Sequence, residues 1–362
     1  MKFNHKTILV TGGAGFIGSH TCLLLLNLGY NLVVLDDFSN SSPESLRRIC
    51  HLAGDFSNER LAVVQGDIRN PKDLELAFKS FNKIGDKISA VVHFAGLKSV
   101  GESVSKPIHY WDVNVGGTLQ LLRQMSIHEC KTLVFSSSAT VYGIPNQIPI
   151  PETASISPIN PYGNTKASIE SILKDLYESE PGWRIACLRY FNPAGAHPSG
   201  LIGEDPKNLP NNLFPIITQV ASGQREALQI LGGDWPTPDG TGIRDYVHVM
   251  DLAEGHICAL DTLFSREREL ITVNLGTGSG YSVLDIVKSF ENSSKRKIRY
   301  EVVPRRPGDS ACAIADPSRA KEILGWSASR GLGEICTDSW SWISSNPSGY
   351  VSTPCSGIKL LQ

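Results

Sequence analysis

A glycine-rich turn near the start of the chain restricts the fold more than any other feature of the sequence. The apolar residues Ile8 to Val10 precede it, and Phe16 to Leu28 follow it. The turn contains four glycines, Gly12, Gly13, Gly15 and Gly18. The apolar run predicts a buried strand, and the segment after the turn predicts a helix. Residues without a Cβ are required where a strand, a turn and a helix approach each other so closely.

The same turn predicts a site for a dinucleotide. Backbone N–H groups at a helix N-terminus attract a pyrophosphate, and glycine lets the backbone come close to it. A second apolar run, Asn31 to Asp36, ends in a carboxylate placed to accept a hydrogen bond from a ribose hydroxyl. Asp36 and Asp37 would repel a 2′-phosphate, so the pattern favours NAD. The alternative, a glycine turn without a ligand, does not account for the acidic end of the second strand.

Alternation of strands and helices through the first half predicts a Rossmann-type doubly wound parallel sheet. Further strands are expected at Leu61 to Gln65, Ile88 to Ala95, Lys131 to Phe135 and Trp183 to Leu188. Helices are expected after the polar loop 39–44 to His51, after Pro71, from about Ser103 to Ile127 and from Pro161 to Glu180. Ligands of such sheets bind at the carboxyl ends of the strands. That rule selects Gly12 to Gly18, Asp36, Asp67 to Ile68, Phe94 to Lys98, Ser136 to Ser138 and Tyr190 to Asn192.

The second half of the chain has a different texture. The segment Asn192 to Gly242 is rich in Pro, Gly and Asn, and long irregular segments of this kind usually carry binding loops. Regular helix and strand patterns return from about Asp251. We predict an NAD-binding domain over 1–190 and a smaller α/β substrate-binding domain over 191–346, from which some elements return to the first domain. Residues 347–362 are expected to form a loosely held tail.

Composition excludes several classes of function. The formal net charge is −2, which favours neither nucleic acid nor an anionic membrane surface as a partner. The apolar stretch Thr21 to Leu35 is interrupted by Asn27, Gly29 and Asn31, so it predicts no membrane span. The eight cysteines show no metal-ligand spacing, and we predict no metal site. Unpaired cysteines and the absence of room for a signal peptide favour the cytoplasm.

The segment Asn160 to Lys166 carries the candidate catalytic residues. Asn160 and Pro161 predict the start of a helix, which places Tyr162 and Lys166 four residues apart on one face. A cation beside a phenol favours the phenolate, so Tyr162 is expected to act as a base near neutral pH. Tyrosine and lysine at this spacing often have no function, but Ser138 is expected at the same edge of the sheet, where its hydroxyl can relay a proton.

With these motifs, the chain resembles the UDP-glucose 4-epimerase family of the extended short-chain dehydrogenase/reductase superfamily. The resemblance runs from about Thr7 to Trp342. Its most specific blocks are residues 11–21, 93–103, 135–143, 188–200 and 239–251. One position departs from the family pattern. The family can carry two consecutive Asn residues here, whereas this chain has Val113 before Asn114.

The resemblance implies a role for individual residues. Tyr162 is then the base, Lys166 its partner and a ligand of the nicotinamide ribose, and Ser138 a hydroxyl that contacts the substrate. The positions that match NAD contacts, besides Tyr162 and Lys166, are Gly12, Gly15, Phe16, Ile17, Gly18, Asp36, Asn40, Asp67, Ile68, Phe94, Ala95, Gly96, Lys98, Asn114 and Phe191. The positions that match UDP-sugar contacts, besides Ser138 and Tyr162, are Asn192, Asn212, Arg244, Arg306, Asp309 and Ala313.

The implied activity is the NAD-dependent interconversion of UDP-glucose and UDP-galactose through oxidation at C4 of the hexose. Ala313 lies where the family can carry a bulky Tyr beside the hexose, so UDP-N-acetylhexosamines are a possible second substrate pair. The cofactor is expected to stay tightly bound. The resemblance also implies a homodimer formed by the helices around Ser103 to Ile127 and Tyr162 to Glu180.

Two other functions stay open. A nucleotide-sugar 4,6-dehydratase shares the oxidation at C4, but such enzymes carry Asp-Glu just after the Ser or Thr of the fifth strand, where this chain has Ala139 and Thr140. A non-catalytic NAD-binding scaffold or sensor would not require Ser138, Tyr162 and Lys166.

Overall fold

The computed structural model describes residues 6–54, 59–80, 87–207, 210, 212–306, 308–351 and 360–361. Its central element is an all-parallel sheet with strand order β11-β6-β5-β4-β1-β2-β3-β15. These strands are β1 (Thr7–Thr11), β2 (Asn31–Asp36), β3 (Leu61–Gln65), β4 (Ile88–His93), β5 (Thr132–Ser138), β6 (Arg184–Tyr190), β11 (Glu269–Leu275) and β15 (Leu360–Leu361). The predicted doubly wound parallel sheet is confirmed.

Helices cover both faces of this sheet, because nearly every residue of its inner strands is buried and the middle of each strand is apolar. The helices are α1 (Phe16–Asn27), α2 (Pro43–Ala53), α3 (Pro71–Lys79), α4 (Val100–Ser105), α5 (Pro107–Tyr110), α6 (Gly117–Ile127), α7 (Pro161–Ser179), α8 (Leu213–Ala221), α9 (Val249–Phe264), α10 (Val283–Ser294), α11 (Ser318–Leu324) and α12 (Leu332–Ser345). Of the helices among the described residues, none is both long and apolar enough to cross a membrane.

A smaller lobe contains most of the remaining elements and has its own apolar core around Phe214, Ile286 and Phe290. Its short strands are β7 (Asn192–Ala194), β8 (Leu228–Leu231), β9 (Ile243–Arg244), β10 (Tyr246–His248), β12 (Tyr281–Ser282), β13 (Tyr300–Val303) and β14 (Cys312–Ala313). Strand β11 and helix α9 pack instead in the large sheet and its core. The chain therefore returns to the first unit, and the exact domain bounds stay a prediction.

The expected long helix from Ser103 to Ile127 is wrong, because this segment is divided. Helix α4 ends at Ser105, and Lys106 leaves the helical conformation before Pro107, which lacks a backbone N–H and opens helix α5. A π-helical segment, Trp111–Gly116, then connects α5 to α6. Such π-segments often occur at functional sites.

The predicted loose tail is anchored near its start. The Tyr350 hydroxyl contacts Gly203, and the Tyr350 amide donates to the Asp205 carboxylate at 2.7 Å. The Tyr350 ring lies 4.7 Å from the ring of Trp342, centre to centre. Trp342 belongs to α12, a helix that the sequence patterns did not predict. Residues 352–359 and 362 of the predicted tail lie outside the described residues.

Candidate active site

The glycine turn after β1 is closed by backbone contacts that exclude any side chain. Gly12 has a φ of 69°, and a Cβ there would lie 2.7 Å from the Ala95 nitrogen. A Cβ on Gly18 would lie 2.3 Å from the Gly12 oxygen. Gly15 differs, because a Cβ there meets only the Gly12 oxygen at 3.3 Å and otherwise faces open space. Two of these glycines therefore close the turn, while the third leaves an open cradle at its outer side.

Helix α1 starts at this cradle without a capping side chain, since its N-cap is Gly15. No acidic residue occupies the first turn of the helix, so nothing on α1 itself competes for an anion there. A glycine cradle beside an uncapped helix N-terminus fits the pyrophosphate of a dinucleotide. The residues present therefore suit the cofactor that the sequence predicts.

Asp36 lies at the end of β2, beside the cradle, but its carboxylate is largely occupied. It accepts hydrogen bonds from the amides of Ala14 at 2.9 Å and Phe38 at 3.0 Å, and from the Ser41 hydroxyl at 2.7 Å. Burial raises the pKa of Asp36, and these hydrogen bonds oppose that shift. A carboxylate has about four acceptor positions, so roughly one remains for a ribose hydroxyl. Asp36 thus shapes the loop as well as facing the predicted site.

The other cofactor candidates surround the same edge. Ile68 is buried and packs so closely on Gly117 that a Cβ there would lie 2.5 Å from it. Asp67 pairs with Arg69, whose guanidinium holds the pKa of Asp67 below its usual value. The Phe94 ring packs on His256, with centroids 4.7 Å apart. The remaining candidates at this edge differ in burial. Phe16, Ile17 and Ala95 are half-buried, Asn40 and Gly96 are exposed, and Phe191 is buried.

Asn114 is buried in the π-helical segment and uses its amide for contacts within the protein. Its oxygen accepts from the Leu97 amide at 2.8 Å, and its nitrogen donates to the Leu97 oxygen at 3.1 Å and the Thr165 hydroxyl at 3.0 Å. Asn114 therefore holds the loop after β4 against helix α7. Its predicted contact with the cofactor stays a prediction.

Tyr162, Lys166 and Ser138 meet where β5 ends. Asn160 caps α7 by accepting from the Gly163 amide at 2.8 Å, so Tyr162 and Lys166 lie on the first two turns. The Ser138 side chain faces Tyr162 and lowers the pKa of its phenol, and the Ser138 hydroxyl accepts from the Thr140 hydroxyl at 3.0 Å. The predicted trio is brought together at the carboxyl edge of the sheet.

The electrostatics of the trio differ from the expectation. The Lys166 ammonium donates to the Ser136 oxygen at 2.7 Å and lies 5.9 Å from the centre of the Tyr162 ring. Burial raises the pKa of Tyr162, and only the Ser138 side chain lowers it. Burial also lowers the pKa of Lys166 to about 8. The expected lowering of the phenol pKa by Lys166 is therefore wrong for this arrangement, in which the ammonium is directed to the strand end.

A buried ion pair beneath the trio was missed by the sequence analysis. The Arg189 guanidinium binds both oxygens of Glu170, at 3.0 and 2.6 Å, and the Ser137 hydroxyl donates to Glu170 at 2.5 Å. Arg189 also donates to the Tyr142 hydroxyl at 2.9 Å. An arginine inside an otherwise apolar strand and a glutamate one helical turn after Lys166 were the available signals.

The substrate candidates lie on the smaller lobe. Arg306 pairs with Asp309 at 2.8 Å, so these two predicted ligands contact each other. Arg244 donates to the Ile243 oxygen at 2.8 Å, and Asn192 pairs in register with Tyr246. Asn212 donates to Glu204 at 3.2 Å, and Glu204 also pairs with Lys98 at 2.8 Å. Glu204 therefore links a substrate candidate to a cofactor candidate.

Ala313 lies in β14, in register with Arg244 on β9. It is half-buried and packs against a small apolar cluster that includes Phe191, Val141 and Ala139. It is therefore close to the residues that follow Ser138 at the end of β5 and Tyr190 at the end of β6.

The histidines beside the site have structural partners. His93 contacts the Thr11 hydroxyl at 2.7 Å and the Thr118 hydroxyl at 2.9 Å, and burial lowers its pKa to about 3. His248 contacts the Asp338 carboxylate at 3.1 Å, and His20 the Phe16 oxygen at 2.7 Å. Within the described part of the chain, no group of His, Cys, Asp and Glu is arranged to hold a metal ion.

Comparisons with known proteins agree with this geometry. Residues 9–339 match the family described as GDP-mannose 4,6 dehydratase. The chain is 53% identical over 348 residues to UDP-glucose 4-epimerase 2 of Oryza sativa subsp. japonica. The matched residues make up 96% of this chain and 84% of the relative. It is 52% identical to the UDP-glucose 4-epimerase of Bacillus subtilis, and the match covers 95% of this chain and 99% of that relative. The crystal structure of the Bifidobacterium longum UDP-glucose 4-epimerase, in complex with NAD+ and UDP, superposes with a TM-score of 0.90 at 46% identity, covering 95% and 100%.

Proposed function

Since the chain belongs to the UDP-glucose 4-epimerase family, we propose that it interconverts UDP-glucose and UDP-galactose by transient oxidation at C4 of the hexose. The observation that carries this proposal is the meeting of Tyr162, Ser138 and Lys166 beside the glycine cradle. Oxidation of an alcohol requires a base for the hydroxyl proton and an acceptor for the hydride. NAD, when bound in the cradle, supplies the reversible hydride acceptor.

Tyr162 takes the proton of the 4-hydroxyl in this proposal and later returns it. The Ser138 hydroxyl, which faces Tyr162, contacts the same oxygen of the sugar and keeps it in line with the phenol. Lys166 is held by the Ser136 oxygen within reach of the ring and supplies positive charge on this side of the site. In this proposal the ammonium also binds the nicotinamide ribose, which is the role that the family resemblance implies for Lys166.

Epimerisation further requires that the oxidised sugar turn over while the nucleotide stays bound. Arg244 and Arg306, on separate segments of the smaller lobe, are the groups we propose for the pyrophosphate, because a guanidinium forks to two oxygens. Asp309 pairs with Arg306 and keeps its guanidinium oriented before the ligand arrives. Asn192 and Asn212 complete the proposed set around the UDP-sugar.

We extend the substrate proposal to UDP-N-acetylhexosamines on the basis of Ala313. The small side chain lies in register with Arg244 and packs near Phe191, so it borders the side of the site where the sugar would turn. A methyl group there leaves room that a larger residue would fill. UDP-glucose and UDP-galactose remain the primary pair.

A 4,6-dehydratase is the nearest alternative, and the matched family description includes that activity. Expulsion of the C6 hydroxyl needs an acid beside the trio. The two residues after Ser138 are Ala139 and Thr140, and the Thr140 hydroxyl donates to Ser138 at 3.0 Å. Neither residue supplies a carboxyl group, which favours epimerisation.

A homodimer is the assembly that we propose. Helices α4 to α6 and the π-helical segment expose apolar side chains to solvent, with Ile108 83% exposed. The others on these elements are Val104, Trp111 and Leu119. Several exposed apolar side chains on neighbouring elements are typical of a contact surface, and burial against a second copy would remove them from water. Six cysteines in the described part of the chain form no disulfide, which suits the reducing cytoplasm as a location; they are Cys22, Cys130, Cys187, Cys258, Cys312 and Cys336.

The test is turnover of UDP-galactose by the purified protein without added cofactor, with UDP-glucose as the expected product. Tyr162→Phe should lower kcat by a factor of about 10² to 10⁴ because the general base is lost. Tyr177→Phe on the same helix, where Tyr177 contacts Arg268 away from the site, is the matched control and should keep native activity. Undiminished turnover by Tyr162→Phe would exclude the proposed base, and an inactive protein with NAD bound would favour a scaffold.

A further inference from the structure

Glu170 is a buried carboxylate that joins the helix carrying Tyr162 and Lys166 to the two strands beneath it. Its side chain is 11% exposed and that of Arg189 is 7% exposed. Arg189 on β6 binds Glu170 through two nitrogens, and Ser137 on β5 donates to it from the residue before Ser138. Glu170 thus fixes α7 relative to the strand end that positions the candidate hydroxyl.

The ion pair is itself held in a polar network. The Arg189 guanidinium donates to the Tyr142 hydroxyl and to the Glu152 oxygen, at 2.9 and 3.2 Å. Tyr142 donates onward to the Asn274 side chain on β11 at 2.6 Å. Buried charges that are held by several hydrogen bonds tend to keep a single geometry. The carboxylate therefore cannot leave its place without breaking contacts to β5 and β6.

Lys166 is one helical turn before Glu170, and its ammonium is buried. Burial disfavours the charged form of a lysine, and the negative charge of Glu170 opposes that effect. The groups that face Lys166 are Tyr162 and Glu170 from α7, the Phe135 ring and the Ser136 oxygen from β5, and His93 from β4. His93 is neutral at physiological pH because its pKa is about 3. Within this set, Glu170 is the group that carries a carboxylate, and it favours the protonated form of Lys166.

We propose that Glu170 is a positioning residue for the reaction, which holds α7 on β5 and β6 and keeps Lys166 protonated. It does not touch the predicted substrate or cofactor, and it acts through Lys166 and Ser137. This inference rests on the proposed function for its catalytic meaning. The active form of the site needs a charged lysine beside Tyr162, so the alkaline limit of activity is set by the proton of Lys166, and Glu170 moves that limit to higher pH.

The test compares native protein with Glu170→Gln, which keeps the size of the side chain but removes its charge. We expect the alkaline limb of kcat for UDP-galactose to move about one pH unit lower, the smallest shift typical of losing a nearby opposite charge. The matched control is Glu178→Gln on the same helix, since Glu178 is exposed and pairs only loosely with Lys174 at 3.8 Å. Its pH profile should coincide with that of the native protein.

Removal of Glu170 leaves Arg189 buried without its partner, which destabilises a protein. The double variant Glu170→Gln/Arg189→Gln removes both charges, and its pH limb should move in the same direction because Arg189 reaches Lys166 through Glu170. A readout that does not need turnover is the pH at which the Lys166 amine becomes reactive toward acetic anhydride, measured by peptide mass spectrometry. The same downward shift is expected there.

The outcomes separate the two claims. The role of Glu170 is overturned if the native protein is active and both Glu170 variants keep the native pH limb and the native pH dependence of Lys166 labelling. Absence of native turnover, with the labelling shift present, overturns the proposed function but supports the electrostatic role of Glu170. A loss of kcat that is equal at every pH shows a merely structural role and also overturns the inference.

Discussion

Replacement of Gly12 by alanine tests whether the closed glycine turn holds the large sheet together as well as the predicted cofactor. Gly12 follows β1 with a φ of 69°, and an added Cβ would lie 2.7 Å from the nitrogen and 2.9 Å from the Cα of Ala95. Both atoms belong to the backbone after β4, so neither can move aside like the end of a side chain. The methyl group must push the ends of β1 and β4 apart.

The magnitude has two parts. An alanine with positive φ costs about 1–2 kcal/mol of folding free energy. Forcing an extra methyl group into a closed contact costs about 1–3 kcal/mol more. The expected loss for Gly12→Ala is therefore about 2–5 kcal/mol, a large fraction of the roughly 5–15 kcal/mol that stabilises a typical protein.

Two further alanine variants separate these parts. Gly223 has a φ of 79° and no atom within 4 Å of an added Cβ, so Gly223→Ala measures the conformational cost alone. Gly15 has a negative φ of −72°, and its added Cβ meets only the Gly12 oxygen at 3.3 Å. Gly15→Ala should change stability by less than about 1 kcal/mol, yet it should lower bound NAD because the methyl group enters the cradle.

Urea unfolding of all three variants, with the NAD content of each preparation, provides the assay. The expected order of destabilisation is Gly12→Ala, then Gly223→Ala, then Gly15→Ala, while NAD is reduced in the first and the last. Equal destabilisation by Gly12→Ala and Gly223→Ala would refute the close approach of β1 and β4. Full NAD content in Gly15→Ala would refute the cradle.

Three other predictions concern Lys166, Ala313 and Ile108. Burial lowers the pKa of Lys166 from 10.5 to about 8, so between these pH values the unfolded chain binds a proton that the folded protein does not. The free energy of unfolding should therefore rise by about 3 kcal/mol as pH increases from 8 to 10.5. Urea unfolding at each pH measures this rise, which should be absent in Lys166→Met. Ala313→Tyr should reduce turnover of UDP-N-acetylgalactosamine much more than that of UDP-galactose, and an equal effect on both would show that Ala313 does not border the sugar. Ile108→Glu should convert the proposed homodimer to monomer in analytical ultracentrifugation, whereas a native protein that sediments as a monomer would exclude the dimer.

The core of the fold was predictable because its signals are local. Each strand of the large sheet is a short apolar run, and the turn glycines, Asn160 and Pro161 mark where helices begin. The rule that ligands meet the carboxyl ends of parallel strands then brought Ser138 and Tyr162 together without any distance information. Periodicity and capping are therefore enough for the part of the site that lies on regular elements.

Features that depend on contacts between distant residues were not predictable. The segment around Pro107 was expected to lie within one helix, but the helix is interrupted there. A π-helical segment follows, and Asn114 within it contacts the loop after β4. The Glu170–Arg189 pair joins α7 to β6, and neither residue has a sequence neighbour that reveals its partner. The direction of the Lys166 ammonium toward the Ser136 oxygen likewise depends on the position of β5 under the helix.

The site electrostatics show the same limit. A lysine four residues after a tyrosine indicates that the two side chains share a face, but the pKa of each depends on burial and on which oxygen the ammonium contacts. The sequence therefore identified the participants correctly as neighbours but gave the wrong sign for the shift of the Tyr162 pKa.

The fate of the hydrogen atom on C4 tests the central claim most directly. UDP-galactose carrying deuterium at C4 is converted in ordinary water without added cofactor, and the position of the label in the product is read by NMR and mass spectrometry. Transient oxidation at C4 predicts UDP-glucose that keeps the deuterium at C4. Loss of the label to water, or its appearance at C6 of a 4-keto-6-deoxy sugar, would contradict epimerisation by the proposed route.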